Sequence, residues 1–116
     1  MVQISSLKDS GVLIIVPKDT SLEANMVKSF VAALEKEIAQ ERLVLFELGM
    51  IEYIDSSGIG AILKFMKELR DRGGDLKLCN LQPAVLRIFE LVGMPRLIEI
   101  YPDRQEALIS FQVVPA

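Results

Sequence analysis

The stretch "IEYIDSSGIGAILKFMKELRDRGGDLKLCNL" (residues 51–81) decides the fold. It opens as a short strand pattern, changes period after Asp55, and closes as a second strand pattern. In between, Ile59, Ile62, Leu63, Phe65, Met66 and Leu69 form one broad apolar face. Lys64, Lys67, Glu68 and Arg70 populate the other, as an amphipathic helix requires. "RGGD" (72–75) stops that helix, because glycine accepts the left-handed cap conformation. "LKLCNL" (76–81) is then apolar and short, a strand. Strand, helix and strand in succession are the unit of a layered α/β fold.

The pattern extends outward in both directions. "VQISSL" (2–7) and "GVLIIV" (11–16) read as two strands joined in a hairpin by "KDSG" (8–11). The second is apolar on both faces, as a central strand would be. From Leu22 the spacing is helical through Met26, Val27, Phe30, Val31, Leu34 and Ile38, with Thr20 or Ser21 placed to cap it. "LVLFEL" (43–48) is a strand. "QPAVLRIFELVG" (82–93) is a short helix with Pro83 in its first turn and Gly93 closing it. "RLIEIY" (96–101) alternates like a strand, and "DRQEALISF" (103–111) is a helix with Asp103 and Glu106 spaced as a capping box. The expectation is an α/β fold with a mixed β-sheet of about five strands and about four α-helices. Neither a linker nor an internal repeat interrupts it, so residues 1–116 are expected to form a single domain.

Composition narrows the function. Apolar residues make up 51% of the chain, enough for a continuous core, and the 25% that are charged do not suggest disorder. A net charge of −3, with lysines and arginines dispersed, gives no electrostatic reason to expect nucleic acid or an anionic membrane as partner. The absence of histidine removes His-based triads, the usual zinc sites and imidazole acid–base chemistry. Cys79, the only cysteine, lies in an apolar run and reads as a buried structural thiol. The N-terminus has no basic segment leading into a secretory apolar core, and the longest apolar run, "VLIIVP" (12–17), is too short to span a bilayer. A soluble cytoplasmic protein with no membrane insertion is expected.

"DSSG" (55–58) then raises a question, because it puts an acid and two hydroxyls at the helix start. "GIGAIL" (58–63) has Leu63 where a dinucleotide fingerprint needs its third glycine, and lacks the Gly-Lys-Ser/Thr ending of a nucleotide-triphosphate loop. Ile54 and Asp55 stand where a nucleophile elbow needs glycine and a free neighbour, and no histidine exists to act as base. Glu47, Glu52 and Asp55 do not form an evident acid–base pair. No catalytic, cofactor-binding or metal-ligating residue is therefore assigned, and an enzyme is not expected. As local chemistry alone the cluster can be a helix start, in which Asp or Ser accepts free backbone N–H groups for about 1 kcal/mol. Gly58 and Gly60 then merely let the helix pack closely on the sheet. Against that stands the redundancy: one cap suffices, and glycine in the first turns costs close to 1 kcal/mol relative to alanine. A small, bare patch around an exposed hydroxyl is also what a kinase active site requires.

The run "YIDSSGIGAILKFMKELRDRGGDLKLCNLQPAVLRIFELVGM" (53–94), with "EAL" (106–108) near the end, resembles a STAS domain, and in particular the small bacterial anti-sigma-factor antagonists. The resemblance covers nearly the whole chain and implies a STAS-like fold. It implies that a partner kinase phosphorylates Ser56, within a phosphorylation loop that includes Asp55, Ser57 and Gly58. Ser57, the competing acceptor, is read as a helix-start hydrogen bonder. Asp19 in "VPKDTS" (16–21) matches the family's loop aspartate, whereas Val16 stands where the family usually has glycine. The expected partner surface is Asp19, Thr20, Ser56, Ser57 and Lys64.

The resemblance further implies a partner-switching cycle. The unphosphorylated protein, a monomer when free, binds an anti-sigma factor that is also a serine kinase of the GHKL type, and so frees the sigma factor. Phosphorylation of Ser56 ends that binding, and a metal-dependent serine phosphatase restores it. ATP and Mg²⁺ belong to the kinase, and this chain needs no cofactor of its own. Two alternatives use the same module: a STAS subunit of a membrane lipid-transport ABC complex, or a partner switch governing secretion, motility or a diguanylate cyclase. A sulfate-transporter tail or a stressosome scaffold, in which the domain is part of a larger chain, is not expected.

Overall fold

A computed structural model describes residues 2–112. Strands β1 (Ile4–Asp9) and β2 (Val12–Pro17) form the antiparallel hairpin. Its two-residue turn holds Ser10 at φ 54° and Gly11 at φ 79°, the left-handed pair that matches strand twist. Then follow β3 (Ser21–Leu22), α1 (Ala24–Ile38), β4 (Leu43–Glu47), β5 (Tyr53–Ile54) and α2 (Ser56–Asp71). The chain closes with β6 (Asp75–Cys79), α3 (Pro83–Leu91), a 3-10 turn (Met94–Arg96), β7 (Ile100–Tyr101) and α4 (Arg104–Ser110). The main sheet has the order β1-β2-β4-β6-β7, with every pair parallel except the opening hairpin. The mixed sheet of five strands with four α-helices is the one expected.

Strand alternation divides the apolar residues between two faces. Leu13 and Ile15, Val44 and Phe46, and Leu76 and Leu78 face α1, α2 and α3 in the larger core. Its centre is a ring trio: Phe30, Phe46 and Phe65 meet edge to face with centroids 6.1–6.3 Å apart. Val12, Ile14, Leu45 and Cys79 face the other way, toward Ala107 of α4. Polar side chains fasten that small helix. Asp103 caps it by accepting the Glu106 N–H at 2.8 Å, and Arg104 bonds Glu47 at 2.6 Å. At its far end the buried Lys77 amine donates to the Ser110 carbonyl (3.1 Å) and hydroxyl (2.9 Å), 4.4 Å from the Phe111 ring centre.

The helix-to-strand turn at residues 72–75 works as its glycines suggest. Gly73 has φ 79°, and a Cβ on Gly74 would lie 1.9 Å from the Arg42 carbonyl oxygen. Two elements depart from expectation. The 96–101 stretch pairs with β6 only at Ile100 and Tyr101, because Leu97 and Ile98 both spend their N–H groups on the Met94 carbonyl. The first helix starts at Ala24 rather than Leu22, because Leu22 is taken up in a separate parallel ladder, Ser21–Tyr53 and Leu22–Ile54.

Candidate functional site

The parallel strands β2, β4 and β6 all point their C-terminal ends one way, and the loops that follow gather there. Gln82 ties two of these loops by donating to the Gly49 carbonyl at 2.8 Å. The ladder of β3 on β5 ties the loop after β2 to the loop after β4, with Glu52 and Tyr53 donating their N–H groups to the Thr20 carbonyl at 2.6 and 3.3 Å. Because β3 runs into α1 and β5 into α2, this ladder delivers two helix N-termini side by side. Asp55 lies between them. One carboxylate oxygen accepts the Gly58 N–H (3.1 Å) and the other the Ala24 N–H (3.0 Å).

A single side chain thus caps two helices. The expected cap of the first helix by Thr20 or Ser21 is corrected: Glu23 occupies that position without a side-chain bond, and the Ser21 hydroxyl lies 3.4 Å from the Met26 sulfur. The true cap comes from 31 residues away, so no local signal announces it. The Gly58 N–H above all, then those of Ala24 and Ser57, holds the Asp55 carboxyl below its ordinary value of 3.8, with desolvation opposing.

Asp55 supplies the side-chain cap of this helix start, and Ser57 lends it a backbone N–H. Ser56 and Ser57 are both exposed on the first turn of α2. Gly58, by contrast, is buried: a Cβ there would lie 2.5 Å from the Leu22 carbonyl oxygen and 2.7 Å from Ile54 Cγ1. That close approach seats α2 on β3. Gly60 shares none of this, since it is exposed and an added Cβ would meet nothing within 4 Å. The expected packing role therefore holds for Gly58 and fails for Gly60.

Of the remaining candidates, Thr20 is exposed and held beside β5 through its carbonyl. Asp19 is half-buried and accepts the Gln3 N–H at 2.8 Å, so it anchors the start of the chain to the same loop. Lys64 is two turns along α2 from Ser56 and 3.7 Å from Glu35 of α1. Val16 is a β2 residue opposite Ser5 and packs against the α4-side core. Glu52, weighed in the sequence only as an acid–base partner, and Glu23, not singled out there, flank the two ends of the β3–β5 ladder. Cys79 is buried, its thiol pushed up to about 12 by burial and the nearby Glu47 charge, so it is inert. Among the described residues no group of three or more His, Cys, Asp or Glu is placed to hold a metal ion, and no helix is long and apolar enough to cross a membrane.

An exposed serine thus stands beside an aspartate that caps two helix starts, at one end of a mixed sheet. The chain belongs to the STAS domain family, whose pattern it matches over residues 3–107. BtrV of Bordetella bronchiseptica, provisionally designated an anti-sigma factor antagonist, is 36% identical over 84 residues, covering 68% of this chain and 72% of BtrV. An anti-sigma F factor antagonist of Paenibacillus polymyxa is 31% identical, the match spanning 61% of each chain. The fold recurs in a Thermotoga maritima protein with the same provisional designation, with a TM-score of 0.84 and 23% identity over 92% of each chain. It recurs also in the Bacillus cell-fate determinant SpoIIAA in its phosphorylated form, with a TM-score of 0.68 and 21% identity over 97% of this chain and all of that one.

Proposed function

We propose that this chain is an anti-sigma-factor antagonist that works by partner switching, with Ser56 as the phosphorylated residue. The observation that carries the reading is the division of labour at residues 55–58: Asp55 makes both caps, which leaves the Ser56 hydroxyl exposed and uncommitted. The names of the relatives support the antagonist role, and a fold neighbour described in a phosphorylated form supports the chemistry. The unphosphorylated form binds an anti-sigma factor that is also a GHKL-type serine kinase. Phosphorylation releases that partner, and a metal-dependent serine phosphatase resets the cycle. All three proteins act in the cytoplasm.

The physics of such a switch is local. A phosphate at Ser56 adds about −1.5 to −2 charges. On the chain itself the added charge sits at the N-terminus of α2, whose partial positive charge offsets it, so the fold tolerates the modification. In an interface matched to a neutral hydroxyl the same dianion is desolvated without a partner, next to the charge of Asp55. A loss of ~3 kcal/mol weakens binding about a hundredfold, with no refolding needed.

The test is labelling of purified protein by host-cell extract supplied with [γ-³²P]ATP and Mg²⁺. Wild type and Ser57→Ala should be labelled, and Ser56→Ala should not. A pull-down in which Ser56→Asp retains the same kinase as wild type, equally well, would defeat the reading.

A further inference from the structure

Gly60 is anomalous. It lies inside a 16-residue helix, in right-handed backbone that needs no glycine, with open space where its side chain would be. Beyond it the exposed stripe of α2 continues with Lys64, Lys67 and Arg70, all good helix formers. Neither packing nor conformation accounts for the bare position, yet it weakens the helix.

Its place explains it. Residues 56 and 60 are one turn apart and share a face. Helical side chains lean toward the N-terminus, so one at position 60 would cover the turn that carries Ser56. The next side chain on the stripe, Lys64, would lean back over Gly60 in the same way, but its amine lies 3.7 Å from Glu35 of α1. The surface behind the Ser56 hydroxyl is thus clear by the absence of one side chain and the diversion of another.

We infer that Gly60 is a specificity-determining residue whose missing side chain admits the modifying kinase to Ser56; this rests on the phosphorylation proposed above. The kinase needs Ser56 Oγ in line with the γ-phosphorus of bound ATP. There the oxygen forms a bond to phosphorus, the bond from phosphorus to the ADP oxygen breaks, and the hydroxyl proton leaves to a base on the kinase. A side chain at 60 occupies the space through which that assembly approaches.

The experiment compares wild type, Gly60→Ala and Gly60→Gln for melting temperature and for initial rate of Ser56 labelling by host-cell extract with [γ-³²P]ATP and Mg²⁺. Alanine should raise the melting temperature by about 4 °C, since the glycine has no structural purpose. Labelling should nonetheless fall in the order Gly, Ala, Gln, by about tenfold or more for glutamine. A second readout omits the kinase: in Ser56→Cys, where Cys79 is buried and unreactive, Gly60→Gln should slow alkylation of the new thiol by iodoacetamide. Equal labelling of wild type and Gly60→Gln on Ser56 overturns the inference but leaves the phosphorylation reading intact. A wild type not labelled on Ser56 overturns that reading, and with it the inference.

Discussion

Replacing Gly58 by alanine should destabilise the protein, against the helix-propensity trend. The added Cβ would lie 2.5 Å from the Leu22 carbonyl oxygen, about 0.9 Å inside the 3.4 Å at which ordinary contact begins. That carbonyl is main chain in the β3–β5 ladder and accepts the Asp55 N–H at 3.3 Å, so it cannot swing aside. The second contact, Ile54 Cγ1 at 2.7 Å, is buried core. Overpacking of this kind costs about 1–3 kcal/mol, and the gain in helix propensity returns about 1 kcal/mol. A net loss of up to about 2 kcal/mol is expected, which lowers the urea midpoint by up to roughly 1 M. The assay is equilibrium urea unfolding followed by far-UV circular dichroism. Gly60→Ala serves as the control, two residues away in the same helix and expected to shift the midpoint upward. If both variants shift in the same direction, the close seating of α2 on β3 is not what holds Gly58, and the account of the site geometry fails.

Three further outcomes follow from the same contacts. The Asp55 carboxyl is held below its ordinary 3.8 by backbone N–H groups, Gly58 first; its contribution is present above that pH and lost as pH falls through the lowered folded value. Acid unfolding of Asp55→Asn should accordingly show a shallower slope below pH 3.8 than wild type. The Cys79 thiol, pushed up from 9.0 to about 12, remains neutral in the fold while the unfolded chain ionises, so stability should decline as pH rises from 9.0 toward 12. Cys79→Ala should flatten that decline, and native Cys79 should resist thiol reagents at pH 8 until the chain unfolds. Lys77→Met should cost about 2 kcal/mol by removing a buried charged donor from the Ser110 carbonyl and hydroxyl. Glu99→Gln should cost much less by urea unfolding, because Glu99 is 3.6 Å from the amine and half exposed.

The elements themselves were legible in the chain because their signals are local. Short apolar runs place β2, β4 and β6, and a period of three to four residues places α1 and α2. Left-handed Gly73 and Gly93 fall where a helix stops, and Asp103 caps α4 as its spacing to Glu106 suggests. The hairpin turn is equally local, since Ser10-Gly11 need only each other's backbone angles. The family resemblance likewise lies in a contiguous run, so Ser56 can be singled out before any coordinates exist.

What the chain order could not convey is which residues meet across long intervals. The β3–β5 ladder joins two-residue strands; the strand pattern before Asp55 foreshadows β5, but Ser21–Leu22 is a strand only because β5 lies beside it. From that pairing comes the convergence of two helix starts on Asp55, 31 residues from Ala24, and the displacement of Thr20 and Ser21 from the cap. Gly58 and Gly60 are identical in sequence terms, yet one is pressed against Leu22 and the other opens on solvent. Local backbone preference belongs to a residue and its neighbours; the space around a Cβ and the partner of a carboxylate belong to the assembled fold.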